Sequence, residues 1–232
     1  MCGRFAAYNK KSIDELLDEL GLEISESQFS SRYNVAPAAA ISAVIQQQAP
    51  AIASMTWGLQ AEWMKTSGMQ PMINARAETI HEKASFKNLI QRTRCVIPVN
   101  GFYEWKRLGQ KIRKPASEKQ QQNKGKRSFY FHAGAFPSLA LAAIYQQDAA
   151  GKLQACIITT SANKLMAPVH DRMPVVLSPQ SMRDWLLSED QAQIDSLMQP
   201  CPDDWLRCIE VSSYVNNSRN EGARCIAPLR TI

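Results

Sequence analysis

The chain has 232 residues, 45% hydrophobic and 21% charged, with a formal net charge of +6. This is globular composition in a length that suits one large domain or two small ones. No apolar run approaches the ~20 residues that span a bilayer. The first ten residues, MCGRFAAYNK, lack the charged-then-apolar pattern of a signal peptide. Membrane and secreted classes are therefore disfavoured, and a cytoplasmic protein is expected.

A helix is predicted over 12–20. Ser12-x-x-Glu15 reads as a capping box, Ile13, Leu16, Leu17 and Leu20 form one stripe, and Gly21 stops it. Short β-like runs follow at 41–46, 52–57, 93–99, 128–133, 139–146, 153–160 and 207–212. Two further helices are predicted at 179–187 and 191–199. Ser178 and Pro179 suit the N-cap and first position of the former, and Ser188-x-x-Gln191 repeats the capping pattern before the latter. Many strands with few helices predict an α+β domain around a mainly antiparallel sheet. There is no internal repeat, and the lack of heptads predicts a monomer.

The charge is concentrated. Residues 106–127 hold nine Lys/Arg and one acid, Glu118, while the rest of the chain carries 18 basic and 20 acidic residues. A uniformly basic nucleic-acid coat is excluded. The segment, which includes Lys-Gln-Gln-Gln-Asn-Lys at 119–124, reads as an insertion between strands, either a solvated loop or a local basic arm. Six cysteines form no C-x-x-C pair, and with three histidines zinc-ligand spacing is absent. No metal or cofactor is expected. Cys95 and Cys156 lie in apolar runs and read as buried reduced thiols.

Four clusters carry candidate chemistry. Cys2 becomes an N-terminal 1,2-aminothiol if Met1 is removed; its amine condenses with an aldehyde and its thiol then closes a thiazolidine ring. The amine (pKa ~7.7–8.0) and thiol (~8.5) both have reactive fractions near neutrality. The alternative is an ordinary second-position cysteine. Gly3 permits close approach of backbone to ligand, and Arg4 would favour thiolate or hold a phosphate. In an extended Asn74-Ala75-Arg76-Ala77-Glu78-Thr79, residues Asn74, Arg76 and Glu78 share a face. In Gly101-Phe102-Tyr103-Glu104-Trp105 the glutamate is either desolvated by its aromatic neighbours, raising its pKa for acid–base work, or faces water on an edge strand. His170-Asp171-Arg172-Met173-Pro174 presents the one histidine among polar neighbours, while His81 and His132 read as structural.

Together these segments resemble the SRAP family (SOS response-associated peptidase domains, viewed as abasic-site processing proteins). The resemblance rests on Cys2-Gly3-Arg4-Phe5, Arg32-Tyr33-Asn34-Val35-Ala36-Pro37, Thr56-Trp57-Gly58-Leu59 and the Asn74, Gly101 and His170 clusters. Ile158-Thr159-Thr160-Ser161-Ala162-Asn163 and Val215-Asn216-Asn217 complete it. Order and rough spacing hold along essentially the whole chain, so one domain over 1–232 is expected, with a barrel-like antiparallel core and a few flanking helices. Two departures stand out: the long basic segment 106–127, and Gln60-Ala61-Glu62-Trp63 in place of the common Ile-Pro-x-Trp.

The resemblance implies covalent self-cross-linking to abasic sites in single-stranded DNA, a lyase-like Schiff-base chemistry, after Met1 is lost by autoproteolysis or to an aminopeptidase. It implies catalytic roles for Cys2, Asn74, Glu104 and His170. Arg4, Arg76 and Arg172 would hold phosphates, with Thr159 and Ser161 as hydroxyl donors. Pro37, Trp63 and Trp105 would stack on or wedge between bases, whereas Trp57 reads as core. Competing readings are an N-terminal-nucleophile hydrolase, a non-covalent single-strand DNA binder and an aldehyde scavenger.

Overall fold

The computed structural model describes residues 2–107 and 125–229, so all of the basic segment except its two ends lies outside the described residues. In chain order β1 (Phe5–Ala7) leads into α1 (Lys10–Leu17). The N-cap of α1 lies three residues before the predicted one. Asn9 is its N-cap, with its side chain accepting from the Ser12 backbone N–H at 3.3 Å. Both residue types cap helices, and Ser12 instead turns its hydroxyl back to the Asn9 carbonyl. Gly21 ends the following 3-10 turn at φ 68°, as predicted.

Strands β2 (Arg32–Val35), β3 (Ala40–Gln46) and β4 (Pro50–Trp57) precede the short helix α2 (Glu62–Thr66). Then come β5 (Asn74–Arg76), α3 (Lys87–Arg92), β6 (Arg94–Val99) and β7 (Gly101–Arg107). Beyond the basic segment lie β8 (Lys126–Ala133), β9 (Leu139–Gln147), β10 (Leu153–Ser161), β11 (Arg172–Pro174) and β12 (Val176–Leu177). The chain closes with α4 (Pro179–Leu187), α5 (Gln191–Leu197) and β13 (Leu206–Val211). Ser178 caps α4 as predicted, but Asp190, not Ser188, caps α5.

One sheet runs β13-β8-β7-β1-β2, with every pairing antiparallel. In the other, β10 pairs β4, β4 pairs β3, β3 pairs β6, β6 pairs β9 and β9 returns to β10, which closes a five-stranded ring. The expected barrel-like α+β core is thus present. Its departure from all-antiparallel order is at β10, which lies parallel to both β4 and β5.

Asn100 links the two bodies. It separates β6 of the ring from β7 of the sheet, accepts the Tyr8 and Asn9 N–H groups on Oδ1 at 2.6 and 2.9 Å, and donates to the Ser12 and Ser138 hydroxyls. Next to it, Gly101 admits a close crossing: a methyl there would sit 2.4 Å from the Phe131 carbonyl oxygen and against the Tyr130 ring.

Three apolar clusters fill the molecule. The helices pack on the outside of the ring through Ile13, Leu16, Ile90, Trp185 and their neighbours. Cys2, Phe5, Trp57, Phe102 and Phe131 occupy the layer between ring and sheet. Ala6, Tyr103 and Tyr130 lie on the sheet's other face, covered by Val211, Val215 and Cys225 from the C-terminal segment.

Candidate active site

Antiparallel pairing of β1 with β7 sets Phe5 opposite Phe102, and the Tyr103 N–H donates to the Arg4 carbonyl at 2.9 Å. Continued by two residues, that register sets Gly3 opposite Glu104, and Cys2 is the next residue along. Strand alternation turns Glu104 to the same side as Phe102, into the layer between the two bodies. Cys2 is fully buried and Glu104 is 5% exposed. The edge-strand alternative for Glu104 is therefore overturned: β7 is the central strand of its sheet.

Strand β5 supplies the third residue. It lies parallel to β10, with Asn74 opposite Ile157 and Arg76 opposite Thr159. From this position Asn74 Nδ2 donates to the Cys2 carbonyl at 2.8 Å, while its buried Oδ1 accepts no hydrogen bond among the described residues. A buried acceptor without a donor is costly, which makes this atom a natural contact for a ligand donor.

Burial, and next the Glu104 carboxylate, push the Cys2 thiol up to about 12. A thiol so placed stays protonated at neutral pH, so any nucleophilic role would require a base. Burial also raises the Glu104 carboxyl above the usual range. The Arg172 backbone N–H donates to His170 Nδ1 at 2.9 Å. Because an N–H can only donate, Nδ1 is an acceptor in this arrangement and the ring proton sits on Nε2. The Asp171 carboxylate lies 3.0 Å from the same Nδ1.

Glu104 also yields a stability prediction. Its raised pKa means that the folded state favours the protonated form, so ionisation costs stability as pH rises from the ordinary glutamate range through the folded value. Glu104→Gln is expected to raise the thermal midpoint at pH 7, and the gain should vanish below about pH 4. Melting curves at both pH values check this; an equal shift at both would show that the gain is not ionic.

The other predicted site residues divide. Arg76 is exposed at the end of β5, and Ser161 is exposed at the end of β10. Pro37 stands exposed at a turn closed by Ala39 N–H to the Ala36 carbonyl at 3.2 Å. The turn forces Ala38 to φ 67°, a strained value for a residue with a Cβ. Trp57 is core, as predicted. Trp63 lies on α2, but its side chain is outside the described residues.

Three expected ligand groups are already engaged. The Arg172 guanidinium forms a bidentate pair with Glu78 at 2.6 and 2.8 Å and also donates to the Thr159 carbonyl. Thr159 is fully buried and gives its hydroxyl proton to the Ala75 carbonyl at 3.3 Å, so here it supports β5 and does not face a phosphate. Arg4 donates to Asn34 Oδ1 at 2.8 Å and to the Val215 carbonyl at 3.1 Å. The predicted stripe of Asn74, Arg76 and Glu78 is also broken: β5 stops at Arg76, and a 3-10 turn over Ala77–Thr79 carries Glu78 round to Arg172. Neither Asn34 nor Glu78 was given a role by the sequence, because a counter-group to a buried arginine has no spacing signature.

His81 pairs with Asp195 at 2.7 Å, and His132 stacks on Tyr130 with centroids 5.6 Å apart. Among the described residues no helix is long and apolar enough to cross a membrane.

The chain is similar to known proteins over nearly its whole length. A YoqW protein of Bacillus subtilis (strain 168), named an abasic site processing protein, is 34% identical over 233 residues, covering 97% of this chain and 99% of that one. YedK of Escherichia coli (strain K12), with the same designation, is 28% identical over 99% of this chain and 100% of its own. A crystal structure of a Bacteroides thetaiotaomicron protein superposes with a TM-score of 0.78 at 22% identity, covering 99% of this chain and 100% of that one, and shares the fold. The family model described as SOS response associated peptidase (SRAP) matches residues 1–218, and the chain belongs to that family.

Proposed function

We propose that this protein captures abasic sites in single-stranded DNA covalently, through Cys2 after Met1 is removed. The observation that carries the reading is the setting of Cys2. It is a buried second residue whose carbonyl is held by Asn74, with the Glu104 carboxylate close enough to shift its thiol. Its relatives' designation as abasic site processing proteins supports the same reading.

The ring-opened abasic sugar carries an aldehyde at C1′. The Cys2 amine attacks it, and loss of water leaves an imine. The thiol sulfur then bonds to the same carbon while its proton passes to the imine nitrogen, giving a thiazolidine. No atom is left over except the one water. Glu104 suits the proton transfers, because a raised carboxyl pKa brings acid and base forms closer to neutrality. His170, with its proton on Nε2, acts at the sugar oxygen during ring opening. Asn74 orients Cys2 through one amide atom and the sugar through the other. Arg76 and Ser161 receive flanking phosphates. Arg4 and Arg172 reach a phosphate only by sharing or exchanging their present partners. Pro37 and Trp63 are the stacking candidates, whereas Trp105 packs on the other face of the sheet with its indole N–H given to Asn216. Such contacts bind without reading sequence and weaken with salt.

The test is a denaturing gel of the protein, with Met1 removal verified by intact mass, after mixing with a single-stranded oligonucleotide bearing one abasic site. A shifted band that resists heat and detergent, and is absent with intact DNA, is expected. No such band from correctly processed protein would reject covalent capture and favour the hydrolase or plain-binder readings.

A further inference from the structure

Two sequence motifs, Arg32-Tyr33-Asn34 and Val215-Asn216-Asn217, have no part in the chemistry above. The structure joins them. Asn34 is fully buried and uses its whole amide. Its Oδ1 accepts from Arg4, and its Nδ2 donates to the carbonyls of Val215, Asn217 and Asn220 at 3.2, 3.0 and 2.8 Å. Glu221 ties the same segment to β2 by accepting from Arg32 Nε and the Tyr33 N–H at 2.7 and 2.8 Å. The chain over 212–226 is thus strapped across the outer face of the five-stranded sheet.

At the centre of the strap, Asn216 Oδ1 accepts two hydrogen bonds: one from Trp105 Nε1 at 2.6 Å and one from the Ser128 hydroxyl at 3.0 Å. Ser128 and Trp105 are directly paired across β8 and β7. One oxygen therefore fastens both strands at the end where Glu104 lies on the opposite face. Trp105 is coupled to that carboxylate, since its backbone N–H donates to Glu104 Oε1 at 3.3 Å. Its ring also has the Arg4 guanidinium 5.9 Å from its centroid, two residues from Cys2.

The structure assigns Asn216 as a positioning residue that braces Trp105 from behind the sheet and so fixes Glu104 beside Cys2. The assignment rests on the proposed covalent capture for its kinetic readout. It predicts a split: the rate of capture depends on Asn216, whereas affinity for intact DNA does not. It also predicts which atom matters. Only Oδ1 is used toward Trp105 and Ser128, so aspartate at this position keeps both bonds and leucine keeps neither.

The experiment compares wild type, Asn216→Leu and Asn216→Asp. It measures the cross-linking rate at saturating abasic oligonucleotide, the dissociation constant for the intact oligonucleotide, and hydrogen exchange of a peptide spanning 101–107. Asn216→Leu is expected to slow capture by about tenfold or more, to leave the dissociation constant within about threefold, and to speed exchange in 101–107. Asn216→Asp is expected to restore rate and protection to within about threefold of wild type. A leucine variant as fast and as protected as wild type would overturn the assignment. So would an aspartate variant as impaired as leucine at equal thermal stability. If wild type itself fails to cross-link, the proposed function falls, and the exchange comparison still decides whether Asn216 braces β7.

Discussion

Cys2→Ala is expected to abolish the heat-stable adduct with an abasic oligonucleotide while leaving one that borohydride can trap. The two functional groups of residue 2 act in separate steps. Alanine keeps the α-amine, so the imine at C1′ still forms and water still leaves. What is lost is the sulfur that closes the ring, and an open imine returns to aldehyde and amine in water. Without reductant the adduct should fall by at least about a hundredfold. That is a loss of roughly 2.7 kcal/mol or more in adduct stability, since each tenfold is worth about 1.36 kcal/mol. Borohydride reduces the imine to a stable secondary amine, so the band should reappear. A durable unreduced adduct from Cys2→Ala would place the bond elsewhere. Absence of a band even with borohydride would mean that the amine does not reach the aldehyde. The buried thiol, pushed up to about 12, sharpens the expectation. It is a poor first nucleophile at neutral pH, so the amine leads and the thiol follows with Glu104 as proton acceptor.

The second large effect concerns stability. Arg94 opens β6 and is buried, yet no carboxylate pairs with it among the described residues. Its guanidinium is spent on helix ends. Nε donates to the Trp185 carbonyl at 2.6 Å, Nη1 to the Ile90 and Gln91 carbonyls at 2.8 and 3.0 Å, and Nη2 to the Ser188 carbonyl. These are the closing carbonyls of α3 and α4, which have no partner within their own helices and carry the negative end of the helix dipole. One cation thus seals two helices against the ring. Arg94→Ala leaves four acceptors without a donor, at about 1–3 kcal/mol for each that stays buried. A total near 3–5 kcal/mol is expected, with a thermal midpoint lower by roughly 10 °C. Urea unfolding checks this. Arg94→Lys should fall between, because one ammonium cannot reach all four oxygens. A loss below about 1 kcal/mol for Arg94→Ala would show that water replaces the guanidinium freely.

The sequence was most legible where burial is continuous. Strands β3, β4, β6, β8, β9, β10 and β13 lie within a residue or two of the apolar runs that predicted them; all but β13, an edge strand, have a paired neighbour on both sides, which favours long apolar runs. Strands β1, β5, β11 and β12 span two or three residues and carry no measurable period, so only their partners define them. Helix α3 was missed for a similar reason: six residues give too little periodicity. Cys2, Asn74, Glu104 and His170 were found as motifs, and tertiary pairing explains how residues so distant in sequence meet. The arginines were read less well. Local sequence shows a cation but not its counter-group, and Asn34 and Glu78 reach Arg4 and Arg172 only in the folded chain.

The contact between Arg4 and the Val215 carbonyl spans 211 positions of the chain. Such closures are slow to find, because the entropy of a long loop is lost before the contact repays it. The ring shares this property: β10 must arrive before β4 and β9 can be joined through it. A nascent chain therefore emerges with Cys2 first and completes the surroundings of that residue last. Until the C-terminal strap docks, the N-terminal residues lack the arginine anchor that holds them in register. The surroundings of Cys2 are complete only at the end of synthesis, and truncation near residue 212 should leave a chain that carries Cys2 but has no strap to hold Arg4.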